Sequence, residues 1–200
     1  MPTHKDMAWS PPSYKETIKS KAKSSPITWI LIAINVGIYL IGLFPKFDFF
    51  SNGALSLAAV QAGDWYRLFS SMFLHLNLGH LACNMWTLYS IGAAVEHRTH
   101  KSNYLLLYLG SGLCGSGAVL FWDMVRHTSE LTVGASGAIF GLFGVLLAMT
   151  VKKENTGIST KTLLLDIVLM LIPGFVSRGI SVSAHIGGLL GGFLLGLLLA

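Results

Sequence analysis

Six apolar segments, separated by short polar stretches, dominate the sequence. They occupy residues 27–44, 71–95, 104–122, 136–151, 162–176 and 182–200. A helix rises about 1.5 Å per residue, so roughly 20 residues are needed to cross a hydrocarbon core of about 30 Å. The fourth segment is short for that distance, so the loop before it is expected to descend into the membrane. The pattern predicts an all-α, polytopic membrane protein built as a bundle of six transmembrane helices.

Composition agrees with residence in a bilayer, since 52% of the residues are apolar and 12% are charged, whereas soluble domains are about a quarter charged. With 200 residues, the chain has room for one membrane domain, residues 27–200, after a polar, basic tail, residues 1–26. The tail is expected to lie near anionic lipid. A signal peptide is not favoured, because the first apolar segment is too long for one. The mixed aromatic stretch 45–69 is expected to form an interfacial loop.

The distribution of basic residues predicts the orientation of the six helices. Five lysines lie in the tail, two basic residues lie within 97–101 and three lie within 152–161, which together make ten of the fourteen. Positive residues are enriched on the cytoplasmic side of membrane proteins. Both termini are therefore predicted to be cytoplasmic, and the second, fourth and sixth helices to begin on the outer side. If the chain is bacterial, its membrane is the plasma membrane.

Three of the apolar segments carry polar side chains that lipid would penalise, which indicates a functional site. Ser136 and His185 each lie in the first turn of a helix that begins on the outer side. His80 and Asn84 are four residues apart, so they share one face of the second helix. The predicted topology brings all four to a similar depth. A serine beside an imidazole is an activated nucleophile, because the ring removes the hydroxyl proton during attack.

Glycine residues suggest how the fourth and sixth helices approach each other. The fourth contains Gly137, Gly141 and Gly144, and the sixth contains glycines at 187, 188, 191, 192 and 196. Each glycine in a helix interior costs roughly 1 kcal/mol relative to alanine, so this density favours a role in close packing. Close contact of the two helices would bring Ser136 within hydrogen-bond reach of His185.

Three motifs together resemble the signature elements of the rhomboid family of intramembrane serine proteases. They are Gly-Ala-Ser-Gly at 134–137, Ala184-His185 with Gly188 three residues on, and His80-x-x-x-Asn84. The resemblance covers about residues 27–200 and implies a rhomboid-like six-helix core. It implies that Ser136 is the nucleophile and His185 the general base. The side chains of His80 and Asn84, with the Ser136 backbone N–H, would form the oxyanion hole.

The sequence departs from the family pattern at a few positions. Family members often carry a tyrosine four residues after the serine, where this chain has Phe140. The phenylalanine ring is still expected to pack against His185. In the first outer loop, the family's Trp-Arg pair resembles Trp65-Tyr66-Arg67. A Gly-x-x-x-Glu element, represented by Gly92 and Glu96, is expected to be structural.

Each of these residues also has a simpler explanation. A lone serine in a membrane helix usually bonds its own backbone, and an isolated histidine or asparagine there often links helices. His75 is expected at the membrane interface.

The sequence has no His-Glu-x-x-His motif for a zinc protease. An aspartyl protease needs two intramembrane carboxylates, whereas Asp166 stands alone. Cys83 and Cys114 fall in apolar segments and are expected to be packing residues, not a disulfide.

Three functions are compatible with these observations. The favoured one is an intramembrane serine endopeptidase that uses a Ser136–His185 dyad to cleave transmembrane segments of other membrane proteins. The alternative is a catalytically silent rhomboid-like protein that binds and escorts membrane helices, although such a protein would be expected to lack a dyad residue. A transporter would predict an inverted internal repeat, and the sequence contains no convincing one. No cofactor, metal ion or nucleic-acid partner is expected; the partners are membrane-protein substrates and the bilayer.

Overall fold

A computed structural model describes residues 25–44, 46–154, 156–176 and 180–200 of this chain, without the side chains of 173–176. Regular structure in these ranges is helical, apart from one isolated bridge between Leu55 and Thr132. The all-α class predicted from the sequence is therefore confirmed. Most of the predicted tail, up to residue 24, lies outside the described residues.

Helical structure occupies most of each of the six segments that the apolar pattern predicted. In chain order, the described helices are α1 (Pro26–Gly42), α2 (Phe49–Gly53), α3 (Leu57–Gln61), α4 (Arg67–Ser70), α5 (Leu78–Thr87), α6 (Ala93–Glu96), α7 (Lys101–Arg126), α8 (Ser136–Val151), α9 (Thr160–Val176) and α10 (Val182–Leu199). A π-helical turn, Leu88–Gly92, joins α5 to α6, and these two helices with that turn fill most of the second segment.

The second segment begins later as an α-helix than the apolar pattern predicts. The predicted start was residue 71, but Ser71–Phe73 forms a 3-10 turn and the α-helix begins at Leu78. The reason is a polar cap, because the Asn77 side-chain oxygen accepts a 2.9 Å hydrogen bond from the His80 backbone N–H. The third segment is longer than predicted, since α7 extends from Lys101 to Arg126.

Two of the described helices, α7 and α10, are long and apolar enough to cross a membrane, with mean hydropathies of 1.6 and 1.9. The helices α1 and α8 are apolar but shorter, with 17 and 16 residues. Most residues of α8 are buried, and α7, α8 and α10 each pack against the other two. The fold is therefore a bundle in which α8, which begins at Ser136, is the central helix.

Glycine allows α8 and α10 to pack with their backbones in contact. A Cβ atom added at Gly188 or Gly192 would lie 2.0 Å from the carbonyl oxygen of Gly137 or Gly141, respectively. A Cβ atom on Gly144 would lie 2.2 Å from the Leu189 carbonyl oxygen. No real side chain tolerates such distances, so this interface requires glycine on both helices. The close packing predicted from the glycine pattern is confirmed.

The predicted interfacial loop, residues 45–69, contains the three short helices α2, α3 and α4. Arg67 joins them, because its Nε lies 2.9 Å from an Asp64 carboxylate oxygen and its Nη1 donates to the carbonyl oxygens of Ser51 and Ala54. Leu55, which follows Ala54, exchanges backbone hydrogen bonds of 3.0 and 2.8 Å with Thr132. This loop therefore supports the segment that leads into α8.

Candidate active site

Ser136 and His185 meet at the beginnings of α8 and α10. Ser136 is the first residue of α8, and His185 lies in the first turn of α10, whose cap is a hydrogen bond from the Ala184 N–H to the Ser181 hydroxyl. The Nε2 atom of His185 lies 2.9 Å from the Ser136 hydroxyl oxygen. His185 is buried, with 3% of its surface exposed, whereas Ser136 is partly exposed. The glycine contacts between the two helices bring these side chains together.

Gly134 sets the path of the chain just before the serine. Its φ of +134° is a conformation that residues with a side chain rarely adopt. A Cβ atom at this position would lie 2.9 Å from Nε2 of His80 and 3.6 Å from the Ser136 hydroxyl oxygen. Its N–H donates a 2.9 Å hydrogen bond to the Ser71 carbonyl oxygen. A glycine is therefore needed here to bring the imidazole of His80 next to the chain that carries Ser136.

Phe140 provides the main ring contact of His185. The two ring centroids are 4.2 Å apart and the planes are inclined by 14°, so the rings are stacked. This contact confirms the expected packing of Phe140 against the histidine. The other ring nitrogen of His185, Nδ1, is buried and has no hydrogen-bond partner among the described residues. Stacking on Phe140 therefore holds the His185 ring in place, whereas an enzyme with a catalytic triad orients its histidine by a hydrogen bond to a third residue.

His80 and Asn84 lie one turn apart on one face of α5, and the His80 ring lies beside Gly134. Asn84 is 3% exposed, and its amide nitrogen is buried without a hydrogen-bond partner among the described residues. The first turn of α8, which starts at Ser136, also leaves backbone N–H groups without acceptors inside the helix. Buried donors of this kind are normally satisfied, so these are available to a bound group that carries negative charge.

His75 lies inside the protein, although it was predicted at the membrane interface. It is 8% exposed, and its ring packs edge-on against His80 with centroids 5.2 Å apart. This contact could not be predicted from the sequence, because residues 74–77 are not helical and spacing along the chain does not give the direction of the His75 side chain. Both ring nitrogens of His75 lack a partner among the described residues.

The groups brought together here are of the kinds that acyl transfer requires. The site contains a serine hydroxyl, an imidazole in hydrogen-bond contact with it, and a buried amide donor on α5 that has no partner among the described residues. Within the part of the chain that the structure describes, no three His, Cys, Asp or Glu side chains are arranged to hold a metal ion. These features are those of a membrane helical bundle with a Ser–His pair at the beginnings of two closely packed helices, α8 and α10.

Comparison with known proteins gives the family. The family model described as "Rhomboid domain" matches residues 62–200, and the chain belongs to the rhomboid family. It is 36% identical over 143 residues to rhomboid protease GluP of Bacillus subtilis, in an alignment that covers 70% of this chain and 27% of that protein.

Two further relatives match over more of their own length. The putative rhomboid protease YdcA of Bacillus subtilis is 36% identical over 141 residues, covering 70% of this chain and 69% of YdcA. Rhomboid protease AarA of Providencia stuartii is 32% identical over 216 residues, covering 90% of this chain and 75% of AarA. The chain spans only about a quarter of the length of GluP. The protease activity in the names of these relatives is a property of those whole proteins.

Proposed function

We propose that this protein is an intramembrane serine endopeptidase that cleaves transmembrane segments of membrane-protein substrates. The observation that carries the proposal is the 2.9 Å contact between the Ser136 hydroxyl oxygen and Nε2 of His185. Membership of the rhomboid family supports it, since GluP and AarA are named as proteases. The stacked Phe140 ring and the unpaired Asn84 amide are consistent with a site arranged for acyl transfer.

In the proposed mechanism, the Ser136 oxygen attacks the scissile carbonyl carbon while Nε2 of His185 takes the hydroxyl proton. The side chains of His80 and Asn84 and the Ser136 N–H donate to the oxyanion that forms. When the tetrahedral intermediate collapses, His185 gives its proton to the leaving amine. A water molecule, deprotonated by His185, then releases the acyl group from Ser136 and restores the hydroxyl.

The proposed topology has six transmembrane helices within residues 27–200 and both termini in the cytoplasm. The distribution of basic residues supports this orientation. It puts the beginnings of α8 and α10, and therefore the dyad, toward the outer side of the membrane. The substrate would accordingly be cut near the outer end of its own membrane helix, where helix-weakening residues let the strand unwind.

The second candidate is a rhomboid-like protein that binds membrane helices without cutting them. It is the weaker proposal, because both dyad residues are present and in contact. A protein that serves only as an escort has no need for a hydroxyl and an imidazole at hydrogen-bond distance.

The test is incubation of the purified protein in detergent with a single-span model substrate. Wild type, Ser136→Ala and His185→Ala are compared by gel and by mass of the products. We expect cleavage by wild type only. Binding of the substrate by all three proteins, without product from any, would favour the escort function. Equal product from all three would remove the dyad assignment.

A further inference from the structure

The loop that leads from α7 to Ser136 is tied to α7 by one buried carboxylate. Asp123, in the last turn of α7, is 5% exposed. One carboxylate oxygen accepts a 3.0 Å hydrogen bond from the Thr128 hydroxyl, and the other accepts a 3.3 Å bond from the Glu130 backbone N–H. The Thr128 N–H also donates to the Asp123 carbonyl oxygen at 2.9 Å. The same residue therefore fixes both the end of α7 and the next stretch of chain.

The position of Asp123 is unfavourable unless these hydrogen bonds compensate for it. An acidic side chain near the C-terminal end of a helix faces the negative end of the helix dipole, and a buried carboxylate needs donors. The chain turns back at His127, whose φ is +53°, and so brings the Thr128 and Glu130 donors to the carboxylate. The local fold of residues 127–130 is thus organised around this side chain.

Packing cannot replace these bonds, because the loop borders an open cavity. The cavity has a volume of about 200 Å³ and lies between the end of α7, residues 128–132 and residues 180–183. Elsewhere, the loop is held by the Ser129 hydroxyl, which accepts from the Ala58 N–H, and by the backbone bonds of Thr132 and Gly134. Those bonds connect the segment to the interfacial loop, residues 45–69, or to Ser71. The bonds of Asp123 connect it to α7.

We propose that Asp123 is a positioning residue for the hydrolysis proposed above, through the loop that ends at Gly134 and Ser136. The proposal rests on that function. The Asp123 carboxylate fixes residues 128–130. Because only a few residues separate this stretch from Ser136, a displacement of residues 128–130 is expected to displace Ser136 as well. Displacement of a nucleophile by about 1 Å can slow a reaction about 100-fold. Loss of the carboxylate should therefore reduce kcat more than it changes KM.

The experiment compares Asp123→Ala, Asp123→Asn and Thr128→Val with wild type in the detergent cleavage assay. The matched control is Glu130→Gln, which removes a negative charge from the same loop but keeps the backbone N–H that Asp123 binds. We expect Asp123→Ala to lower kcat roughly 10- to 100-fold, with smaller losses for the two near-isosteric variants and no loss for the control. If Asp123→Ala does not fold, the near-isosteric variants carry the test.

A second measurement does not depend on cleavage. Hydrogen exchange of the backbone amides of residues 128–134 should be faster in the Asp123 variants than in wild type and in Glu130→Gln. Unchanged exchange, unchanged kcat, a rise in KM alone, or an equal loss in the control would each overturn the positioning role. If wild type itself cleaves nothing, the proposed protease function fails, while the exchange data still decide whether Asp123 orders the loop.

Discussion

At the scale of single residues, His185 is held by two contacts of different kinds. Its Nε2 lies 2.9 Å from the Ser136 hydroxyl oxygen, and its ring face stacks on Phe140. The buried Nδ1 atom has no hydrogen-bond partner among the described residues. The orientation of the imidazole therefore depends on an apolar ring, and this dependence can be measured.

Replacing Phe140 with alanine should remove the ring contact and lower kcat roughly tenfold per folded molecule, because the imidazole gains freedom to turn away from Ser136. The loss of a buried phenylalanine also costs about 3 to 5 kcal/mol of stability. Phe143→Ala is the matched control, since Phe143 is equally buried and packs against Phe140, not His185. Thermal unfolding and cleavage kinetics are measured on both variants. An equal loss of kcat in the two would contradict the orienting role.

The Asn84 amide should matter only in the transition state. Asn84→Ala is expected to lower kcat about 100- to 1000-fold with little change in KM, the usual cost of one oxyanion donor. The control is Asn103→Ala, because the Asn103 amide bonds the Leu199 carbonyl oxygen at the other end of the bundle. Cleavage kinetics with one model substrate decide the matter. A rise in KM with unchanged kcat would instead assign Asn84 to substrate binding.

Among the site residues, those with helical spacing could be predicted from the sequence. Ser136 and His185 each open an apolar, glycine-rich helix, so their approach follows from the packing of those helices. His75 and Asp123 could not be placed in this way. His75 contacts His80 from an irregular segment whose direction depends on the cap at Asn77. Asp123 binds an irregular segment whose direction depends on the left-handed residue His127.

At the level of helices, the contact between α8 and α10 holds Ser136 and His185 at hydrogen-bond distance. Their backbones touch at Gly137–Gly188 and Gly141–Gly192, so neither helix can be moved without separating Ser136 from His185. This contact was predictable because glycine density in an apolar helix has few other causes. The late start of α5 could not be predicted, because it depends on the cap formed by Asn77. The short helices near Arg67 could not be predicted either, because the arginine binds carbonyl groups that are distant in sequence.

Gly192→Ala should force the two helices apart, because the new methyl group would lie 2.0 Å from the Gly141 carbonyl oxygen. Overpacking of this kind costs about 1 to 3 kcal/mol, and cleavage should fall with it. Gly117→Ala is the matched control, since a Cβ atom there meets nothing within 4 Å. That variant should be up to about 1 kcal/mol more stable than wild type. Equal thermal unfolding of the two variants would show that the helices do not touch here.

At the scale of the whole molecule, the proposed orientation can be tested with single cysteines. In a background where Cys83 and Cys114 are alanine, Arg126→Cys should react with an impermeant thiol reagent in intact cells. Lys153→Cys should react only after the membrane is opened, because the positive-inside rule puts its loop in the cytoplasm. The reverse pattern of labelling would invert the topology and would place the dyad near the cytoplasmic side.

Covalent labelling of the serine tests whether His185 activates Ser136. Purified protein is treated with a fluorophosphonate, and the modified residue is identified by mass spectrometry in wild type, Ser136→Ala and His185→Ala. We predict one adduct, on Ser136 of wild type, and none on either variant. An adduct on another residue, or equal labelling of Ser136 in His185→Ala, would show that His185 does not activate Ser136.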